Sequence, residues 1–121
     1  MDSTRALRHL IFTFEMSLGE HAIEDRTLPI ARDLIYLVFF RWFTRWPPAK
    51  IKGKDFLCPE PKGDFASEQR DLLAVMARYV DALEREPARR TVNPGLGTIS
   101  LRKWSRVHGV HTDHHLRQFG V

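Results

Sequence analysis

The sequence predicts an all-α helical bundle, and three observations carry that expectation. Apolar residues recur every three or four positions through four separate segments, the period of a helix with one buried face. Gly19, Pro47-Pro48 and Pro87 fall where such segments would close. No stretch alternates convincingly between apolar and polar residues, as a half-buried strand would.

The first element is expected over Ser3–Gly19, with Ser3 as N-cap and Gly19 as the stop. Leu7, Leu10, Ile11, Phe14 and Leu18 make one stripe, which His9, Phe12 and Met16 widen, so His9 lies beside the core. His21 follows in a polar stretch and reads as a solvated loop residue. A second helix runs from about Thr27, with Pro29 tolerated in its first turn, to Trp46. Its middle is apolar nearly all round, which calls for burial by several neighbours or by a partner chain.

A Pro-, Lys- and Gly-rich loop spans Pro47 to Gly63, long for a bundle connection and of the kind often functional or mobile. Asp64 is a good N-cap for the third helix, where Leu72, Leu73, Met76, Tyr79, Val80 and Leu83 recur at heptad-like spacing before Pro87. The fourth helix starts after Ser100.

That last helix carries four of the six histidines. With His111 at zero on a helical wheel, His115 lies at about +40°, His108 at about +60° and His114 at about −60°. Trp104, Val107 and Gln118 share the stripe. Two imidazoles at i and i+4 can reach one metal ion, and His9 is the third candidate ligand. The plainer reading is packing, or a favourable interaction with the helix dipole. An i, i+4 pair without the intervening Glu of HExxH is only moderately specific.

The residues also carry a resemblance. His111-Thr-Asp-His-His-Leu-Arg-Gln-Phe119 resembles the closing helix of the DinB/YfiT-like superfamily of four-helix bundles, and within it a bacterial branch of unknown function. Asn93-Pro-Gly-Leu-Gly-Thr-Ile-Ser-Leu-Arg-Lys-Trp104 is similar to that branch's approach to its last helix. Leu7-Arg-His-Leu10 with Phe14-Glu-Met-Ser-Leu-Gly19 is similar to its ligand-bearing early helix. The resemblance covers nearly the whole chain, residues 1–121, as a single domain.

It implies a divalent ion, zinc or nickel, held by His9, His111 and His115. Relatives include thiol-dependent transferases or isomerases and hydrolase-like proteins, and many dimerise. Two departures stand out. Asn93 occupies a position where the branch usually has His, and the family's first helix has no counterpart ahead of Ser3. Without that helix, part of the apolar surface of residues 7–18 and 34–43 is expected to lie uncovered. Either a homodimer forms through that face, or upstream sequence supplies the helix.

Composition bounds the rest. A chain of 121 residues can bury a single core. The lone cysteine, Cys58, excludes an internal disulfide framework and suits a reducing compartment; a catalytic thiol there is a minor reading. No secretory signal is legible, and the longest apolar run, Leu34–Phe40, falls far short of the roughly 20 residues that span a bilayer. The expectation is a cytoplasmic protein without a membrane segment.

A net charge of +4 raises nucleic-acid binding. Its basic residues are dispersed, Lys50-Ile-Lys-Gly-Lys54 being the best patch, and no recognition motif accompanies them. Nucleic acid is therefore not the expected partner. An open three-histidine site serves a hydrolase or a thiol-dependent transferase acting on a small molecule. His114 and Gln118 are placed to orient a ligand ring or a bound water, whereas Asp113 and Arg117 point away. The absence of a nearby carboxylate keeps the alternative open: a non-catalytic metal-binding or structural bundle acting through protein partners.

Overall fold

A computed structural model describes residues 2–24, 34, 37 and 59–120. Three helices and one two-stranded sheet have described bounds: α1 (Ser3–Ser17), α2 (Phe65–Arg85), β1 (Arg90–Asn93), β2 (Gly97–Ser100) and α3 (Leu101–Gln118). Of the second expected helix only Leu34 and Leu37 are described, both helical and exposed. The remainder of that segment, the Lys50–Lys54 patch and Cys58 lie outside the described residues.

The molecule is mostly helical but not all-α, and among the described residues three helices and a two-stranded sheet have defined bounds. The hairpin was hidden from the sequence because each strand is four residues long, too short for alternation to register. Thr91, Val92, Thr98 and Ile99 supply the β-branched residues that favour it, pairing Thr91 with Ile99 and Val92 with Thr98. Asn93 turns the chain: its Oδ1 accepts from the amides of Gly95 (2.8 Å) and Leu96 (2.9 Å). Gly97 completes the turn at φ 80°, a conformation that favours glycine.

The hairpin closes the end of α1. Thr91 Oγ1 donates to the Ser17 carbonyl (2.8 Å) and Arg89 to that of Leu18 (2.8 Å), satisfying carbonyls the helix leaves unpaired. Gly19, at φ 77°, ends α1 as expected. At the other end the cap is Asp2, not Ser3: Asp2 Oδ1 accepts from the Arg5 amide at 2.8 Å. Asp64 and Ser100 cap α2 and α3 in the same way, through the amides of Ser67 and Lys103.

α1 packs chiefly on α2, and both meet α3 through a core of Ile11, Phe14, Val75, Tyr79, Ile99 and Trp104. Tyr79 reaches across and donates its hydroxyl to the Leu101 carbonyl at 2.6 Å; burial pushes its pKa up to about 12. Of the expected core face of α2, Tyr79 is buried and Leu72, Met76 and Leu83 pack against the core, which Val75 joins; Leu73 and Val80, at the edge of that stripe, are exposed.

Beneath the start of α2 lies a buried ion pair, Arg8 to Glu68 at 2.5 Å, with the Glu68 side chain fully enclosed. The second carboxylate oxygen of Glu68 accepts from the amides of Lys62 and Gly63. Leu10, Ile11, Phe14, Met16 and Leu18 are buried and Leu7 and Phe12 are half-buried, so little of the apolar surface expected to lie uncovered over residues 7–18 is exposed, whereas Leu34 and Leu37 are exposed.

Candidate metal centre

α1 and α3 place the three expected histidines together. His9 sits on the buried side of α1, immediately after the anchored Arg8, while His111 and His115 stand one turn apart on α3. All three are buried, at 8%, 7% and 7% relative exposure. His9 Nε2 lies 2.8 Å from His111 Nε2, and His115 Nε2 lies 3.0 Å from the same atom. One nitrogen from each ring falls within 4.8 Å of the others. Three buried histidines are thus close enough to bind one metal ion.

One contact fixes the state of the His115 ring. Gln118 Oε1 can only accept, so His115 Nδ1 donates to it across 2.8 Å. A neutral His115 therefore presents a lone pair at Nε2, the form a metal requires. His111 Nε2 meets two imidazole nitrogens at once, although an imidazole nitrogen offers only one hydrogen or one lone pair. A cation at the centre would resolve that conflict, since three lone pairs can share it.

Burial keeps the His111 and His115 rings neutral. It pushes His111 down to about 2, helped by the neighbouring histidines, and His115 down to about 4. His108, one turn before His111, is lowered to about 3 by burial alone. It does not join the other three. Its ring stacks on Phe14 (centroids 3.9 Å apart, 12° between planes), lies 5.3 Å from Trp104 and meets Tyr79 edge-on at 4.7 Å. Its Nε2 and the Trp104 indole N–H are buried without a hydrogen-bond partner among the described residues.

No known protein family, curated protein or solved structure matches the chain. What it can do is read from its own geometry.

The other expected roles sort clearly. Gln118 touches His115 as anticipated, and the His114 ring lies edge-on to His115 at 5.1 Å. Asp113 pairs with Arg117 (2.9 Å), both on the exposed side of α3. His21 is outside the site, yet is only partly exposed; it packs on Phe12 and lies 3.3 Å from Glu15. The Asn93 amide oxygen serves the hairpin turn. Among the described residues no carboxylate joins the three histidines. Sequence reasoning missed the Arg8–Glu68 pair, which fixes the turn of α1 beside His9. Its only trace is a charged residue at a position where the helical period places the core.

Proposed function

We propose that the protein holds one divalent transition-metal ion, zinc or nickel, on His9, His111 and His115, as the DinB/YfiT-like proteins that its last helix resembles do. The observation that carries this reading is the double contact on His111 Nε2, which hydrogen bonding alone cannot satisfy. Three neutral imidazoles suit zinc or nickel and not the oxygen-seeking magnesium or calcium. When bound, such an ion supplies Lewis acidity to a water, a carbonyl or a thiolate.

The chain's residues do the rest. The α3 pair and His9 clamp the ion between two helices, and Gln118 holds the His115 ring in its ligating tautomer. Phe14, Trp104 and His108 keep the inner side dry. Three protein ligands leave room for a small-molecule substrate, which favours hydrolysis or thiol-dependent transfer. The second reading is a non-catalytic metal holder acting through protein partners.

Metal analysis of the purified protein tests the proposal. About one zinc or nickel ion per chain is expected, and none after combined His111→Ala and His115→Ala substitution. Stoichiometric metal in that double variant would overturn it. A screen of ester, amide and thiol-transfer substrates, with and without metal, separates the two readings: metal-dependent turnover supports the enzyme, and a loaded but inert protein the holder.

A further inference from the structure

The outward face of α2 carries a second pattern, unrelated to the core. Ala66, Arg70, Leu73, Ala77, Val80 and Glu84 follow one another at intervals of four, three, four, three and four residues. That is the spacing along which one helix packs on another, and this seam has an apolar middle, Leu73, Ala77 and Val80, flanked by Arg70 and Glu84. Here all six are exposed, Leu73 at 61% and Val80 at 49%, on the side of α2 opposite Val75 and Tyr79.

We infer that this seam is a self-association surface, in which α2 of one copy packs antiparallel on α2 of a second copy of this chain. The argument for a second copy is the order of residues along the seam, which is complementary to its own reverse. Running the helix against itself about a twofold axis near Val75 brings Leu73 of each copy over the small Ala77 of the other. Large side chains thereby meet small ones twice at the centre. The same alignment puts Arg70 beside the other copy's Val80, where its aliphatic stem covers the apolar side chain.

The Arg70 guanidinium then reaches the Glu84 carboxylate of the second copy, about one turn further along. Glu84 itself lies over Ala66, in the first turn of the opposing helix, where a negative charge is favoured by the dipole. Neither Arg70 nor Glu84 has an ion-pair partner among the described residues, whereas other charges of α2 do: Arg78 pairs with Glu20 and Arg85 with Asp81. A parallel pairing would set Arg70 against Arg70 and Glu84 against Glu84, so the charges select the antiparallel arrangement. This surface is on the far side of α2 from its core contacts and needs no metal.

Light scattering coupled to size-exclusion chromatography, over a range of protein concentrations, tests the inference. Wild type should approach twice the 14.1 kDa chain mass as concentration rises. Leu73→Glu should remain monomeric, with its helical circular dichroism unchanged. Arg70→Glu alone and Glu84→Arg alone should each weaken the dimer, and the two together should restore it, because the exchanged pair re-forms across the axis. Wild type that stays monomeric at the highest concentration, whether the face is bare or covered by the chain's own residues, overturns the inference. So does a dimer that survives Leu73→Glu, or one that the charge exchange does not rescue.

Discussion

Arg8 and Glu68 meet at 2.5 Å with almost no exposure on either side, and the residue after Arg8 is His9. A buried carboxylate that receives two backbone amides and a guanidinium has its charge well compensated. Removing Arg8 leaves the enclosed carboxylate without its cation, and removing Glu68 leaves Arg8, among the described residues, only the exposed Asp71, at 3.2 Å. Glu68→Ala should cost about 3–5 kcal/mol of stability, read from denaturant midpoints. Replacing both, as Arg8→Met with Glu68→Leu, should cost clearly less, because no uncompensated charge remains. Additive losses in the double variant would show that the two side chains do not act as a pair.

Individual histidine substitutions should separate ligands from bystanders. His111→Ala or His115→Ala is expected to abolish metal binding, and His9→Ala to weaken it strongly. His21→Ala, with its ring against Phe12 and Glu15, should leave affinity unchanged. Isothermal titration with zinc and nickel reads all four.

Gln118 acts on the ion only through His115. Gln118→Ala should lower metal affinity by about 10- to 100-fold, the usual effect of losing such an orienting hydrogen bond. Gln118→Glu, which keeps an acceptor for Nδ1–H, should recover most of it. Equal loss in both variants would mean that the hydrogen bond to His115 is not what matters.

Acid should destabilise the metal-free protein. His108, His111 and His115 sit at about 3, 2 and 4 in the fold, against 6.5 for an unstructured ring. Between those values the unfolded chain binds more protons, so stability is full above about pH 6.5 and declines as pH falls below it. Urea midpoints measured from neutral pH down to about pH 4 should drop steadily. Metal release should be centred somewhat below about pH 6, where protons begin to compete for the rings. Affinity that stays flat to about pH 4 would point to carboxylate ligands.

His108 offers a sharper version of that test, because it packs as an aromatic and leaves Nε2 unpaired among the described residues. His108→Phe should be neutral or stabilising by about 1 kcal/mol at pH 7, and should make the acid-induced loss shallower. His108→Ala should lose about 3 kcal/mol by leaving a cavity between Phe14 and Trp104. A strongly destabilised phenylalanine variant would show that Nε2 has a partner.

The sequence exposed most of what periodicity and capping control. Asp64, Ser100 and Gly19 mark helix boundaries because side-chain caps and positive φ are local requirements. The histidines of α3 were legible as a group because 3.6-residue spacing converts directly into angle, and His9 because it lay beside a stripe. The hairpin was not: its stability comes from docking on Ser17 and Leu18, a tertiary effect that short strands do not announce. Leu73 and Val80 were read into the core since spacing alone cannot tell a buried seam from an exposed one. Glu68 stood at a core position of the helical period, but its pairing was not legible, as its partner lies 60 positions away in the sequence.

His111 and His115 are four residues apart, but His9 is separated from His111 by 102 positions. In a zinc finger the ligands are close neighbours, and the ion organises the chain around itself. Here an unfolded chain offers only the local pair, and the third ligand arrives once α1 has found α3. Such distant closure is slow to form and is achieved by packing, so an ion bound at this centre is a late passenger and not a nucleus. Zinc or nickel added at the start of refolding should leave the folding rate almost untouched while slowing subsequent unfolding.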